Sequence, residues 1–321
     1  MNVHPLPSVD VIVTDRQRVA DDILLLTLAA LDGGDLPEWT AGAHIDLLLP
    51  NGIERQYSLC SDPADRRAWQ VAVLRESRGR GGSEFVHATL AAGETLRVRG
   101  PLNHFAFEAA SSYVFVAGGI GITPLLPMIR EAARAGASWN LAYAGRSEGS
   151  MAFVRELVGE HPERVSVYSS EAGERLALDE LFALAPDGAL VYCCGPARLL
   201  DAATARSAEL GWPAGRLRLE RFEAKETGAP VLADAFEVEL EFSGLTLTVP
   251  PERSILDVVE EAGVLVLSSC REGTCGTCET PVVSGEVDHR DSVLTPEEQA
   301  DNEVMMICVS RAACAKLVLE L

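Results

Sequence analysis

The chain has 321 residues, of which 47% are hydrophobic, and a formal net charge of −21 at pH 7. This length is enough for two or three domains with buried cores. The negative charge disfavours nucleic acid and anionic membranes as partners and favours a basic protein surface. No stretch approaches the roughly 18 uncharged apolar residues of a membrane helix, and the N-terminus lacks a basic region that leads into a long apolar run. We therefore expect a globular protein that binds neither a membrane nor nucleic acid.

The first predicted domain, residues 1–108, is rich in short segments that alternate apolar and polar residues. Six of them have the two-residue period of β-strands, namely 9–14, 23–28, 43–49, 56–60, 69–74 and 95–99. Turn residues separate these segments, and little helical periodicity lies between them. The pattern predicts an antiparallel β-barrel or sandwich.

Two stretches of this domain carry groups that suit a phosphorylated ligand. Arg55-Gln56-Tyr57-Ser58 places a cation, a phenol and a hydroxyl on one strand. The second stretch, Gly81-Gly82-Ser83, precedes a predicted helix over 84–90, so its backbone N–H groups are available to a phosphate. Each stretch alone is usually an ordinary strand or helix cap, but together with the following domain they indicate a flat phosphorylated ligand.

The second predicted domain, residues 109–226, alternates strands with helices. The predicted strands are 112–117, 140–144, 165–168, 189–193 and 217–222, and the predicted helices are 125–135, 152–158, 178–184 and 197–210. This alternation predicts a doubly wound α/β domain around a parallel sheet.

A glycine-rich turn, Gly118-Gly119-Ile120-Gly121-Ile122-Thr123-Pro124, joins the first of these strands to its helix. Such a turn lets the backbone approach a pyrophosphate, and proline suits a first helical turn. It is not the G-x-G-x-x-G fingerprint, because Pro124 replaces the third glycine, and ordinary Rossmann binding is therefore disfavoured. Later strands end at Gly145-Arg146-Ser147 and Cys194-Gly195-Pro196. Parallel sheets bind nucleotides at this carboxyl edge.

A linker over 227–235 leads to a third predicted domain, residues 236–321, of the α+β class. Segments 236–242 and 245–249 predict a hairpin, and 254–262 predicts a helix capped by Ser254. This domain has 17 Asp and Glu against 5 Lys and Arg, a net charge of −12. The charge either keeps a small domain soluble or steers a basic electron acceptor toward it.

Four cysteines of the third domain have the spacing of iron ligands. Cys270, Cys275 and Cys278 are spaced C-x4-C-x2-C, and Cys308 follows after 29 intervening residues. This is the spacing of plant-type [2Fe–2S] sites, whereas structural zinc sites usually pair two C-x2-C units. Cys314 is the alternative fourth ligand. A cysteine-rich ligand set of this kind fits a reducing compartment, so we expect a cytoplasmic protein.

With these motifs in view, the chain resembles the phthalate dioxygenase reductase family, within the ferredoxin–NADP reductase superfamily. The resemblance covers nearly the whole chain and implies three domains in order: a flavin domain, a nicotinamide domain and a β-grasp ferredoxin domain. Vanillate demethylase reductase subunits look similar. The segment from Met306 to Arg311 matches the family's terminal cluster motif, which favours Cys308 over Cys314 as the fourth ligand.

The resemblance also implies roles for individual residues. The residues implied to bind FMN are Arg55, Gln56, Tyr57, Ser58, Ala72, Val73, Leu74, Gly81, Gly82, Ser83, Thr123 and Phe222. Those assigned to the nicotinamide nucleotide are Gly118, Gly119, Gly121, Pro124, Arg146, Ser147, Glu171, Cys194, Gly195 and Pro196. Thr123 is expected near flavin N5, and Cys194 near the site of hydride transfer. FAD is the alternative flavin.

We therefore expect an NADH-dependent reductase that passes electrons through FMN and a [2Fe–2S] cluster to a separate protein. The flavin reconciles a two-electron donor with a one-electron cluster. The expected acceptor is a Rieske oxygenase that acts on an aromatic acid, an aryl ether or a quaternary ammonium compound and docks at the acidic domain. Alternatives are a cytochrome P450 as acceptor, or a redox sensor or electron carrier without turnover. Arg146 could bind the 2′-phosphate of NADPH, whereas Glu171 could hold the ribose diol of NADH, which is the nucleotide we expect. We expect a monomer.

Overall fold

The structure is a computed structural model that describes residues 8–76, 79–225 and 227–321. These residues form two compact units, one ending at Glu220 and the other running from Arg221 to Leu321. The predicted start of the first domain at residue 1 and the predicted boundary at residue 226 lie outside the described residues. In the described part, no helix is long and apolar enough to cross a bilayer.

The first half of the larger unit is an antiparallel sheet. Its elements are β1 (Ser8–Ala20), β2 (Ile23–Ala30), β3 (His44–Leu48), β4 (Glu54–Ser58), β5 (Trp69–Leu74), α1 (Gly82–Ala88) and β6 (Thr95–Leu102). The strand order is β4-β3-β6-β1-β2-β5. A bridge between Leu59 and Val71 joins the two edge strands. The sheet therefore closes on itself, and the predicted antiparallel domain is confirmed as a barrel.

Strand β1 is longer than the predicted segment 9–14. Its pairing with β2 shifts register at two points, between Val13 and Asp15 and between Arg18 and Ala20. Such bulges break the two-residue alternation from which the strand end was predicted.

Strand β2 is apolar at nearly every position because both of its faces are buried. Leu26 and Leu28 lie in the barrel interior, whereas Ile23 and Leu25 pack in a second apolar cluster on the outside of the barrel. That second cluster also contains helix residues of the α/β half, such as Met128. The two halves of this unit therefore share one core.

The α/β half is a parallel sheet of five strands. Its elements are β7 (Ser112–Gly118), a 3-10 helix (Gly119–Ile122), α2 (Leu125–Arg134), β8 (Ser138–Gly145), a 3-10 helix (Glu148–Ser150), α3 (Val154–Glu160), β9 (Val165–Ser169), α4 (Leu178–Ala183), β10 (Leu190–Cys194), α5 (Ala197–Glu209) and β11 (Leu217–Glu220). The order is β11-β10-β7-β8-β9.

Alternate residues of β7 face different helix layers. Phe115 belongs to the cluster of α2 and α3, and Val114 and Val116 belong to the cluster of α4 and α5. Helices therefore cover both faces of the sheet, and the predicted doubly wound domain is confirmed.

The segment that connects the barrel to the α/β half packs on the sheet. The Tyr192 hydroxyl accepts a hydrogen bond from the Glu108 N–H at 2.8 Å and donates to the Ala106 carbonyl at 3.2 Å. The rings of Phe105 and Phe107 each lie 5.5 Å from the Tyr192 ring. This aromatic packing is the physical reason why the two halves form one compact unit.

The smaller unit is a mixed sheet with one helix packed in its core. Its elements are β12 (Phe236–Leu240), β13 (Leu245–Val249), α6 (Ile255–Glu261), β14 (Glu279–Ser284), β15 (Val287–Asp288), α7 (Pro296–Asp301), β16 (Val304–Met306), β17 (Arg311–Ala312) and β18 (Lys316–Leu319). The main sheet has the order β13-β12-β18-β14-β16, with β12 and β18 parallel, and β15 pairs with β17. The predicted α+β class is confirmed.

We predict that Gly42→Ala destabilises the larger unit far more than Gly33→Ala. Both glycines have a positive φ, +94° and +75°, so both substitutions carry backbone strain. An added Cβ at Gly42 would lie 1.9 Å from the Phe105 carbonyl oxygen, whereas at Gly33 it would meet nothing within 4 Å. Urea denaturation should show a difference of at least about 2 kcal/mol in unfolding free energy. Equal losses would contradict this packing.

Candidate functional site

The four predicted cluster cysteines come together in the smaller unit. The Cys270 thiol is a neighbour of the thiols of Cys275 and Cys308, and the Cys278 thiol is a neighbour of that of Cys308. The contact with Cys275 and then that with Cys308 lower the pKa of Cys270, and Cys308 lowers that of Cys278. These contacts include the two pairs Cys270–Cys275 and Cys278–Cys308, as a two-iron cluster with two thiolates per iron requires.

Backbone N–H groups of the cysteine loop point at sulfur. The N–H of Glu272 donates to Cys270 Sγ at 3.3 Å, and the N–H of Thr277 donates to Cys275 Sγ at 3.4 Å. At Gly273, where φ is +69°, a Cβ would lie 2.5 Å from a methyl carbon of Val309. The loop therefore needs glycine at this position, and its N–H donors suit a sulfur-rich anion whose potential responds to hydrogen bonding.

Arg271 fixes the loop to helix α6. Its backbone is left-handed, with φ of +58°. Its guanidinium donates to Asp257 Oδ1 at 3.1 Å and to Glu260 Oε1 at 2.7 Å. Asp257 also accepts from the Ser254 N–H at 3.2 Å in a capping box. Burial opposes ionisation of Asp257, but its hydrogen bonds with Ser254 and the charge of Arg271 lower its pKa below the usual value.

Two buried hydroxyls at the cysteine loop suit a sulfide-containing group. The buried hydroxyls of Ser269 and Ser292 have no hydrogen-bond partner within residues 8–76, 79–225 and 227–321. Ser269 adjoins the first cysteine, and Ser292 donates its N–H to the Gly273 carbonyl at 2.8 Å. A sulfide-containing group would give these hydroxyls an acceptor.

Cys314, the alternative fourth ligand, has other partners. Its Sγ accepts from the Glu286 N–H at 3.2 Å and donates to the Lys316 carbonyl at 3.0 Å. The geometry therefore favours Cys308 as the fourth ligand.

The predicted phosphate-binding residues meet at the start of α1. The Arg55 guanidinium donates to the Arg80 carbonyl at 3.0 Å, and an added Cβ at Gly82 would lie 2.5 Å from Arg55 Cγ. Ser83 Oγ accepts from the Glu76 N–H at 3.0 Å. Because the first helical bond runs from Phe85 N–H to the Gly81 carbonyl, the preceding N–H groups lie outside the helix ladder. An arginine and free N–H groups around a glycine turn fit a phosphate.

Two of the predicted FMN residues, Gln56 and Val73, have side chains that contact other protein groups. Gln56 donates to Asp46 Oδ1 at 3.0 Å on the face of β4 opposite Tyr57. Val73 is fully buried in the barrel interior, whereas its neighbours Ala72 and Leu74 belong to the outer cluster. Val73 can therefore offer a ligand only main-chain atoms.

A carboxylate that the sequence interpretation missed joins the two halves of the site. The Ser58 hydroxyl donates to Glu220, which ends β11, and Cys194 Sγ lies 4.0 Å from Glu220 Oε2. Burial raises the pKa of Glu220 to about 8 although the Ser58 hydrogen bond opposes this. Burial, and then the charge of Glu220, raise the pKa of Cys194. A charged residue at the carboxyl end of a parallel strand was the available signal.

The predicted nicotinamide loops touch each other where β7 and β10 end. A Cβ at Gly121 would lie 2.3 Å from the Cys194 carbonyl oxygen, and one at Gly118 would lie 2.6 Å from Pro196 Cδ. Thr123 is buried, and its hydroxyl donates to the Ile120 carbonyl at 3.0 Å. The chain leaves these neighbouring strands in opposite directions, which is where doubly wound sheets bind ligands.

A second residue that the sequence interpretation missed holds the glycine turn. Tyr143 is fully buried, and its hydroxyl contacts the carbonyls of Gly119 at 3.1 Å and Ala152 at 3.2 Å. No sequence signal distinguishes such a tyrosine from an ordinary core residue.

Arg146 and Glu171 lie together at the ends of β8 and β9. Arg146 Nε is 3.6 Å from Glu171 Oε1, and the Glu171 N–H donates to the Arg146 carbonyl at 2.9 Å. Ser147 caps the 3-10 helix that follows. The remaining predicted residue, Phe222, belongs to the smaller unit and is 41% exposed.

Comparison with known proteins gives matches over the whole chain. Residues 238–313 match the family model described as a 2Fe-2S iron-sulfur cluster binding domain. Phenoxybenzoate dioxygenase subunit beta of Ectopseudomonas oleovorans is 46% identical over 304 residues, 94% of each chain. The structure of phthalate dioxygenase reductase, described as modular for electron transfer from pyridine nucleotides to [2Fe-2S], has a TM-score of 0.71 at 38% identity and 98% coverage of both chains. An intact type IV self-sufficient cytochrome P450 monooxygenase gives a TM-score of 0.91 at 46% identity; the match spans 98% of this chain and 41% of that one.

We predict that Cys308→Ser abolishes cluster binding and that Cys314→Ser does not. The Cys308 thiol contacts two other cluster thiols, whereas that of Cys314 is bonded to the backbone of Glu286 and Lys316. Iron content and the visible absorbance of the purified variants measure the difference. Loss of iron in Cys314→Ser with retention in Cys308→Ser would reverse the ligand assignment.

Proposed function

Because the chain belongs to the phthalate dioxygenase reductase family with a C-terminal 2Fe–2S ferredoxin domain, we propose that it passes electrons from NADH through FMN and a [2Fe–2S] cluster to a separate Rieske oxygenase. The observation that carries this proposal is the pairing of the four thiols in a chain that also has a nucleotide-binding sheet edge. When bound, a flavin would supply the chemistry that links a two-electron nicotinamide donor to a one-electron cluster.

We assign the flavin phosphate to the turn Gly81-Gly82-Ser83 and to Arg55, which contacts that turn. Tyr57 and the outer-facing Ala72 and Leu74 would flank the ring. The turn Gly81-Gly82-Ser83 matches the short phosphate loop of the family, which supports FMN over FAD.

The residues around Cys194 orient the nicotinamide. Gly118 and Gly121 let the two loops approach each other, and Gly119, where an added Cβ would meet nothing within 4 Å, leaves the backbone open to a nucleotide. The Cys194 thiol and the Thr123 hydroxyl border the transfer site. Glu220, with a pKa of about 8, is protonated at neutral pH and holds its proton beside Ser58. The pairing of Arg146 with Glu171 supports NADH over NADPH, because the guanidinium already has an anionic partner.

The acidic smaller unit is our proposed docking surface for the oxygenase. The five Lys and Arg of residues 236–321 all have partners within the unit: Arg253, Arg271, Arg290 and Lys316 pair with carboxylates, and Arg311 donates to the carbonyls of Arg253 and Pro250. The surplus carboxylates are left to face a basic partner. We expect the oxygenase to act on an aromatic acid, an aryl ether or a quaternary ammonium compound.

A cytochrome P450 is the second candidate acceptor, supported by the similarity of nearly the whole chain to part of a self-sufficient P450. We place the protein in the cytoplasm, as a monomer. None of the eight cysteines, all within the described residues, forms a disulfide, in keeping with a reducing compartment.

We predict that Cys275→Ser stops electron delivery to the oxygenase while NADH still bleaches the flavin absorbance at close to the wild-type rate. The reason is that the cluster and the nucleotide site lie in different units. Stopped-flow spectra and reduction of the co-purified oxygenase measure the two steps.

Electron delivery to the oxygenase by the wild-type protein should also slow as salt rises. If NADH bleaches no flavin band in the wild type, the proposed function is wrong. A wild type that is reduced but never turns over with an acceptor would favour a sensor.

We predict that the rate of flavin reduction by NADH falls above pH 8 in the wild type and not in Glu220→Gln. Burial raises the pKa of Glu220 to about 8, so the carboxyl ionises above that pH. A new negative charge there opposes the charge that reduction adds to the ligand. In Ser58→Ala the fall should move to higher pH, because the Ser58 hydrogen bond lowers this pKa. A wild-type profile that is flat from about pH 7 to 9 would refute the assignment.

A further inference from the structure

The segment predicted as a linker is bound to the smaller unit. The Arg290 guanidinium donates through Nη2 to Thr227 Oγ1 and to the Gly228 carbonyl, each at 2.6 Å. The Val231 N–H donates to Asp288 Oδ2 at 3.1 Å. Leu232 then packs against the apolar core of the unit. We call Arg290 and Asp288 the linker clamp.

The clamp is itself well supported. Arg290 Nη1 donates to Asp288 Oδ2 at 3.1 Å, and both side chains are largely buried, 15% and 13% exposed. Asp288 lies on β15, which pairs with β17. The Arg290 N–H donates to Ser310 Oγ at 3.1 Å, two positions beyond Cys308. The linker is therefore attached to the part of the unit that follows the last cluster ligand.

This attachment limits the chain that joins the two units. Strand β11 ends at Glu220 and the clamp begins at Thr227, so the connection is positions 221–226. Fully extended, it spans about 20 Å. If the clamp opened, the connection would run to position 231 and span about 37 Å. The effective concentration of one tethered module at another falls roughly as the −3/2 power of tether length, which here is a factor of about 2.5.

We propose that Arg290 and Asp288 are positioning residues for internal electron transfer, because they shorten the tether that carries the cluster. The inference rests on the proposed function, in which one electron leaves the reduced flavin and reduces the cluster by one, with NADH as the reductant. The hydrogen bonds described for Arg290 and Asp288 run to each other, to the linker and to Ser310, none of which is a residue assigned above to flavin or nucleotide. Their effect falls on the flavin-to-cluster step alone.

Two measurements on the full-length holoprotein test this. Hydrogen exchange of the peptide covering 227–232 should be faster in Arg290→Ala than in the wild type, since the clamp holds that backbone. In anaerobic stopped flow with NADH, cluster reduction should slow two- to threefold, while flavin reduction stays unchanged. Thr227→Val, which removes one clamp contact on the linker side, should give a smaller change in the same direction. Lys316→Ala removes an equal charge from the exposed pair with Glu239 and should leave both readouts unchanged.

The outcomes distinguish a failure of the linker clamp from a failure of the proposed function. Unchanged exchange in Arg290→Ala, or faster exchange with an unchanged rate of cluster reduction, would overturn the clamp. If Arg290→Ala loses iron, the same two measurements on Thr227→Val, hydrogen exchange and the rate of cluster reduction, decide whether the proposal stands. If NADH fails to reduce the cluster in the wild type, the proposed function is overturned, and unchanged exchange would then overturn the clamp separately.

Discussion

The site depends on a close approach of two backbone segments at the carboxyl ends of β7 and β10. Side chains at Gly118 or Gly121 would overlap the segment Cys194-Gly195-Pro196. Because both segments are short and hydrogen-bonded, neither can move away from the other without displacing the strand that it follows. The buried Tyr143 holds the same turn from the other side. This contact sets the position of Cys194, and through the neighbouring strand that of Glu220.

The sequence predicted the elements up to the cysteine loop because their cores are periodic. The three sheet classes followed from two-residue and helical periods, and the structure confirms them. The five strands after Cys278 were not predicted; three of them, β15, β16 and β17, have two or three residues each and show no period. Their pairing depends on contacts between distant parts of the chain.

Single residues of the site were harder to predict than the motifs. The R-Q-Y-S stretch lies on one strand, β4, but the side chains of a strand alternate, so Gln56 faces Asp46 on the side opposite Tyr57. Glu220 was missed because its importance comes from lateral neighbours, Ser58 and Cys194, that lie far away in sequence. A sequence motif consists of residues that are close together in the chain, so it cannot contain such pairings. The four cysteines can be proposed as cluster ligands from the sequence because their spacing is itself the constraint.

The shared core of the barrel and the α/β half has a consequence for how such a protein can be divided. A cut near residue 108 would separate Phe105 and Phe107 from Tyr192 and open apolar surface on both products. A cut after Glu220 would fall at the boundary between the two compact units. Chimeras with other ferredoxin modules should therefore tolerate exchange at the second boundary and not at the first. Flavin and nucleotide specificity would be inherited together, and the electron outlet could be replaced independently.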